Sequence, residues 1–294
     1  MVGITVSGNP HSKQMKRFRA KALQYDLLYS EVNQEKIYPL VRDDFGDEQI
    51  FCISPIHGRS FVVGKKNNGN WVITKGNGLS YSTHSFVDVS ESDNYIWGCL
   101  SREDAVRDYK IGNEVRDLGI RTNVMEAVLE LDCQLFDKGK SIRPCLLQYE
   151  VQCPYRLCDF PFMPNSIRRK IIESWMCFDS KYSELYLIAA EVLIRNLRVL
   201  HDNNVIHNAL HIQNYTWALE LLDFESSRTE NMPYNNSEYE HNIMMLLNGE
   251  IMKTYEIVNY IGWCLGEAVD YYKIDSIFKD FGYNLNNYKL DCCY

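Results

Sequence analysis

The strongest constraint on this chain is a change of hydrophobic period about halfway along it. Residues 50–90 hold three short β-branched and aromatic runs, QIFCISPI, RSFVVGKK and NWVITK, separated by HG and NNGN and followed by GNG. Apolar runs of that length punctuated by turn residues predict an antiparallel meander. NVMEAVLELD and RPCLLQYEVQ predict two further strands. Between these sets, SREDAVRDYKIGNEVRDL (101–118) predicts a helix. Ser101 suits its N-cap, Glu103 and Asp104 suit the positive end of its dipole, and Gly119 ends it. After CPYRLCDFPFMPN the pattern becomes helical, in SIRRKIIESWMCF, in SELYLIAAEVLIRNLRVLHDNN and across residues 238–281. In the second of these, Leu185, Ile188, Ala189, Val192, Leu193, Leu197 and Leu200 recur at helical spacing. A β-rich half followed by a helical half predicts an α+β fold of two lobes with a cleft between them. The predicted divisions are an N-terminal helical extension (1–45, from the basic run KQMKRFRAKALQYDLL), a β-rich lobe (46–155) and a helical lobe (156–294).

Composition narrows the function classes. The 294 residues carry a net charge of −8, which argues against a nucleic-acid binder. No apolar run is long enough to span a bilayer and no apolar leader opens the sequence, so the expectation is a cytoplasmic protein without a membrane partner. The ten cysteines form no metal or redox spacing and read as free thiols of a reducing compartment. The terminal Cys292-Cys293 pair is read as part of a frayed end.

The chemistry concentrates in VIHNALHIQNYTW (205–217) and LELLDFESS (219–227). The first reads as a loop that closes with Asn214, the second as a short apolar strand that delivers Asp223. A phosphate-bound magnesium ion takes hard oxygen ligands from one or two protein groups, and an Asn and an Asp so placed would supply them. The alternative is an ordinary turn with polar caps.

These residues resemble the active sites of protein-kinase-like enzymes. His207 to Asn214 has the spacing of the H-R-D-x-x-x-x-N loop, and Asp223 stands where D-F-G would present its aspartate. HNALHIQN…LLDFE is similar to the H-G-D-x-H-x-x-N…D-F/W-E loop of aminoglycoside-phosphotransferase-like kinases through His207, His211, Asn214, Asp223 and Glu225. Asn208 and Ala209 depart from it, and Ala209 removes the usual acceptor of the substrate proton. The first half resembles the selenoprotein O family of protein AMP-transferases. Lys75, Gly76, Gly78, Tyr81 and Ser82 match its Lys-Gly-x-Gly…Tyr-Ser stretch, with one residue missing before Tyr81. Leu118, Gly119, Ile120 and Thr122 match the end of its helix. That family also lacks the aspartate after the loop histidine, but its acidic residue before the loop Asn is Gln213 in this chain.

The resemblance implies a two-lobed protein-kinase-like fold, with an antiparallel-sheet N-lobe carrying one helix and a helical C-lobe. It implies ATP and Mg2+ (or Mn2+) as cofactors, with Lys75, Gly76 and Gly78 on the nucleotide side and Asn214 and Asp223 on the metal. A helix carboxylate would hold Lys75. Ungapped counting gives Asn113, and Glu114 beside it is the preferred residue. With Ala209 and Gln213 both unable to act as base, His211 and His207 are the remaining catalytic candidates, along with Glu225. His211 also reads as a histidine that supports the loop. The expected function is transfer of AMP or phosphate from ATP to a hydroxyl of a protein or small molecule, with an inactive pseudokinase scaffold as the alternative.

Overall fold

A computed structural model describes residues 15–53, 58–78, 98–137, 140–234 and 242–285. Tyr81, Ser82, Cys292 and Cys293 lie outside the described residues. Among the described residues ten strands run in chain order: β1 (Lys16–Ala22), β2 (Tyr25–Ser30), β3 (Leu40–Arg42), β4 (Glu48–Cys52), β5 (Ser60–Lys65), β6 (Trp71–Lys75), β7 (Val124–Leu131), β8 (Leu135–Asp137), β9 (Lys140–Ile142) and β10 (Cys145–Val151). Eight of them form one antiparallel sheet in the order β2-β7-β10-β6-β5-β4-β1-β3, and β8 and β9 form a separate hairpin. Helix α1 (Arg102–Asp117) lies between β6 and β7 in sequence and packs on β7. The second half holds α2 (Asn165–Trp175), α3 (Leu185–Asp202), α4 (Ile243–Leu265) and α5 (Tyr271–Asp280). The fold is α+β and two-lobed, as the change of period requires.

The first 45 residues correct the sequence expectation. The basic run is not a helix: residues 16–42 contribute β1, β2 and β3 to the main sheet, so they form no separate extension. Phe18 and Ala20 point inward while Arg17 and Arg19 between them stay exposed, a period of two. The same residues also close the sheet. In sheet order β1 and β2 stand six intervals apart, which at about 4.8 Å each would separate them by roughly 29 Å if the sheet were flat. Leu23 and Gln24 alone join them, and that link reaches about 11 Å at most. The sheet therefore curls until its edges meet. The Leu23 N–H donates to the Pro39 carbonyl and the Asp132 N–H to the Gln24 carbonyl, at 3.0 and 2.8 Å. Curling explains why β6 and β10 are buried along their whole length. One face packs Met125, Val128 and Leu147 against Ala105, Ile111 and Val115 of α1, and the other packs Ala127, Leu129 and Leu146 against Ile37 and Val41.

Helix α1 starts as expected, with the Ser101 hydroxyl accepting from the Asp104 N–H at 3.0 Å. In the turn before α1, Gly98 has φ +81°, and a Cβ there would lie 2.5 Å from the carbonyl carbon of Gly78. Gly98→Ala is expected to lower stability by about 1–3 kcal/mol from the left-handed backbone alone, read as a lower urea midpoint at unchanged slope.

The lobes meet at the segment after β10. The buried Glu220 carboxylate accepts from the N–H groups of Gln152 and Cys153 and from the Thr216 hydroxyl. Stacked Trp175 and Trp217, with centroids 5.8 Å apart, anchor this region, and the Trp175 indole N–H donates to the Trp217 carbonyl. No helix among the described residues is long and apolar enough to cross a membrane.

Candidate active site

Lys75 ends β6, and its ammonium is buried between two elements. Nζ lies 2.7 Å from Asp108 Oδ2 on α1, 2.5 Å from Asp223 Oδ1 and 3.2 Å from Glu225 Oε2. The helix carboxylate that holds Lys75 is thus Asp108, not Glu114 or Asn113. Six residues further along a helix is about 600°, which leaves Glu114 about 120° away from Asp108 around the axis. Glu114 instead accepts from the Thr229 hydroxyl and from Asn231 Nδ2. The sequence did carry a signal for Asp108. Ala105, Asp108, Gly112 and Val115 are all buried and recur at intervals of three and four, so the carboxylate interrupts the apolar stripe of α1.

Asp223 is delivered by a turn rather than by the expected strand. Leu221 makes only single bridges, to Tyr215 and Thr122. Asp223 itself is left-handed (φ +73°, ψ +66°) and a single 3-10 turn, Phe224–Ser226, follows. The buried Phe224 fixes this turn, its N–H donating to Asp108 Oδ1 at 3.0 Å. Asn214 donates from Nδ2 to the Ala209 carbonyl at 2.9 Å, bracing the loop across its width. Its Oδ1 accepts from the Arg156 guanidinium at 3.3 Å, and the same guanidinium nitrogen stands 3.9 Å from Asp223 Oδ2. The structure therefore brings Asn214 and Asp223 to one point, with Arg156 between them. Arg156 and Arg59, which pairs with Glu225, are site residues that the sequence patterns did not reveal. Both come from segments whose local pattern is that of a turn.

The two histidines are placed elsewhere. His207 is fully buried. Its Nε2–H donates to the Leu222 carbonyl at 2.9 Å and Nδ1 accepts from the Ala209 N–H at 3.3 Å, so both nitrogens are used inside the loop. Burial holds its pKa below the ordinary value, which keeps this arrangement neutral. His207 shapes the loop and does not line the cavity around Lys75. His211 is exposed and lines a groove beside α4 with Met245, Leu246 and Lys253, outside the cavity around Lys75. Gly76 and Gly78 likewise stand off that cavity. A Cβ on Gly76 would lie 2.5 Å from the Cys145 carbonyl oxygen, and the Gly78 N–H donates to Gly98. They allow close backbone passage behind Lys75.

Two adjoining cavities occupy the cleft. The outer one, of about 320 Å³, is lined by Arg59, Lys75, Asn214, Asp223, Glu225 and Ser226, among others. The inner one, of about 60 Å³, lies against the inter-lobe segment and is lined by Val62, Ile73, Tyr149, Cys153, Asp159 and Leu222. Arg156, Gly58 and Ser60 border both.

The charges balance, with Arg59, Lys75 and Arg156 facing Asp108, Asp223 and Glu225. Burial alone would lower the Lys75 pKa, but Asp108, Asp223 and Glu225 outweigh it and hold the ammonium charged. Burial alone would raise Asp223, but Lys75, Arg156 and Arg59 keep its carboxyl well below the usual range. Asp108 shifts the other way, because burial and the Asp223 charge together exceed the pull of Lys75. Oxygens of Asp108, Asp223 and Glu225 lie within 4.8 Å of one another. Asn214 Oδ1 shares the Arg156 guanidinium with Asp223, and this hard-oxygen set fits a divalent cation bound together with phosphates.

No protein-family model and no curated protein matches the chain. Among solved structures it is similar to the kinase domain of a rhoptry antigen specific to Toxoplasma gondii, at 11% identity and a TM-score of 0.31. The likeness covers 73% of this chain and 55% of that one, so the chain spans about half the length of the structure it resembles. A likeness that slight carries no argument. What bears on the kinase-like expectation is the Lys75–Asp108 pair and the approach of Asn214 and Asp223 to the same Arg156 guanidinium.

Proposed function

We propose that this chain is an ATP-using transferase that moves AMP to a hydroxyl of a protein or a small molecule, with the triphosphate directed inward. The observation that carries this reading is Arg156. A kinase-like cleft is expected to place the base against the inter-lobe segment, yet the cavity there measures about 60 Å³. Pockets for drug-sized ligands run to roughly 300–1,000 Å³. A cavity of that size is too small for a base, and the partly buried Arg156 guanidinium at its border can pair with a phosphate group although the other walls are mainly apolar. With phosphates inward, the α-phosphorus stands towards the roomier outer cavity.

In the reaction, the acceptor oxygen bonds to the α-phosphorus, the bond to the bridging oxygen of the β-phosphate breaks, pyrophosphate leaves and the hydroxyl proton passes to water. Lys75, Arg59 and Arg156 supply positive charge to the phosphates, and Asn214 and Asp223 hold the metal. A bound Mg2+ or Mn2+ adds charge neutralisation for the leaving group. Transfer of this kind depends mainly on positioning and charge, so Ala209 and Gln213 do not forbid it.

One observation favours a second reading, the inactive pseudokinase scaffold. Arg156 already contacts Asn214 and stands beside Asp223, and the cleft charges are internally matched. Incubation with ATP labelled separately at the α and γ positions, with Mg2+ or Mn2+, separates the two. The α label is expected to become covalent and Arg156→Ala to reduce that mark at least tenfold. Ala209→Asp is not expected to raise it. Robust γ transfer by the wild type would return the protein to the ordinary kinases, and ATP binding without any covalent mark would favour the scaffold.

A further inference from the structure

We infer that the cleft modifies its own chain, with Ser226 as the acceptor. The inference rests on the AMP-transferase reading. Three hydroxyls follow Asp223 closely, and two of them are committed. Ser227 is fully buried and donates to the His207 carbonyl at 3.0 Å, and Thr229 is fully buried and donates to Glu114 at 3.1 Å. Ser226 is exposed and lines the same outer cavity as Arg59, Lys75 and Asp223.

Its position is rigid rather than incidental. Ser226 closes the single 3-10 turn that begins at Phe224, and the buried Phe224 ring together with the bond from the Phe224 backbone N–H to Asp108 sets that turn against α1. A nucleophile fixed beside the phosphate-binding cations gains the large rate advantage of an intramolecular reaction. Among the described residues the only other serine lining the cavity is Ser60. Ser60 is partly buried and also borders the inner cavity, the end towards which the outermost phosphate points. Ser226 borders only the outer cavity, where the α-phosphorus lies when the triphosphate enters first. In the step, Ser226 Oγ bonds to the α-phosphorus, the α–β phosphoanhydride bond breaks, pyrophosphate departs with the electron pair and the hydroxyl proton passes to water.

The test uses the full chain with ATP and Mg2+ or Mn2+, followed by intact mass measurement, peptide mapping and a parallel thermal-shift series. The wild type is expected to gain one AMP on the peptide that contains Ser226, at a first-order rate independent of protein concentration. Ser226→Ala abolishes the gain and Ser226→Thr restores it. AMP on another residue, a rate that rises with protein concentration, or ATP stabilisation of the wild type with no AMP gained would each overturn the assignment of Ser226 while leaving ATP binding intact. Absence of ATP stabilisation in the wild type would overturn the transferase reading itself, and a γ-phosphate on Ser226 would overturn nucleotidyl transfer.

Discussion

Lys75→Ala is expected to abolish the covalent α label and to destabilise the protein by about 3–5 kcal/mol, the usual cost of removing one partner from a buried ion pair. The cost arises because Lys75 serves a buried and a partly buried carboxylate at once. Asp108 Oδ2 and Asp223 Oδ1 lie 2.7 and 2.5 Å from its ammonium, and among the described residues Asp108 pairs with no other cation. Without Lys75, Asp108 takes up a proton instead of staying charged. The double variant Lys75→Met with Asp108→Asn should therefore recover part of the lost stability, since both members of the pair are gone. It should recover none of the label. Urea unfolding and label transfer measured on the same samples separate the two effects. Full transfer by Lys75→Ala would show that the ammonium does not contact the phosphates.

Asp223→Asn is expected to remove the Mg-dependent part of ATP stabilisation. Asparagine tolerates the left-handed backbone at φ +73°, so the substitution removes charge without forcing the turn to move. Lys75 keeps Asp108 and Glu225 as partners. The variant should fold, and its thermal shift with ATP should be the same with and without Mg2+. Equal protection of wild type and variant by ATP with Mg2+ would show that Asp223 is not a ligand. A pH dependence follows as well. The Asp223 carboxyl sits below its ordinary value in the folded state, so its contribution is present above the unfolded pKa of about 3.9 and is lost as pH falls below it. Wild type and Asp223→Asn should converge in stability on acidification. Lys75 is shifted upward, so its contribution is full at neutral pH and adds no slope there.

Several features of the site were legible because they are encoded at short range. The loop spacing from His207 through Asn214 to Asp223 can be read directly, and the structure brings the last two together at Arg156. Lys75 stood out through the Lys-Gly-x-Gly stretch that resembles the AMP-transferase family. The His207 role was not legible, since the same spacing serves a proton donor and a buried structural imidazole equally well, and burial decides between them. Glu114 failed for a related reason. A helix offers a different face at every residue, so an error of a few positions in alignment selects a side chain on the wrong side.

By itself the sequence determined the change from strands to helices, the N-cap at Ser101 and the loop that presents Asn214, because hydrophobic period and turn chemistry act between near neighbours. The tertiary structure decided which carboxylate meets Lys75, where Arg59 and Arg156 converge, and that residues 16–42 complete the sheet. Those outcomes depend on strand edges and helix phase across separations of 33 residues for Lys75 and Asp108 and 166 for Arg59 and Glu225. No local pattern records them, and only the closing of the sheet and its packing against α1 bring such distant groups into contact.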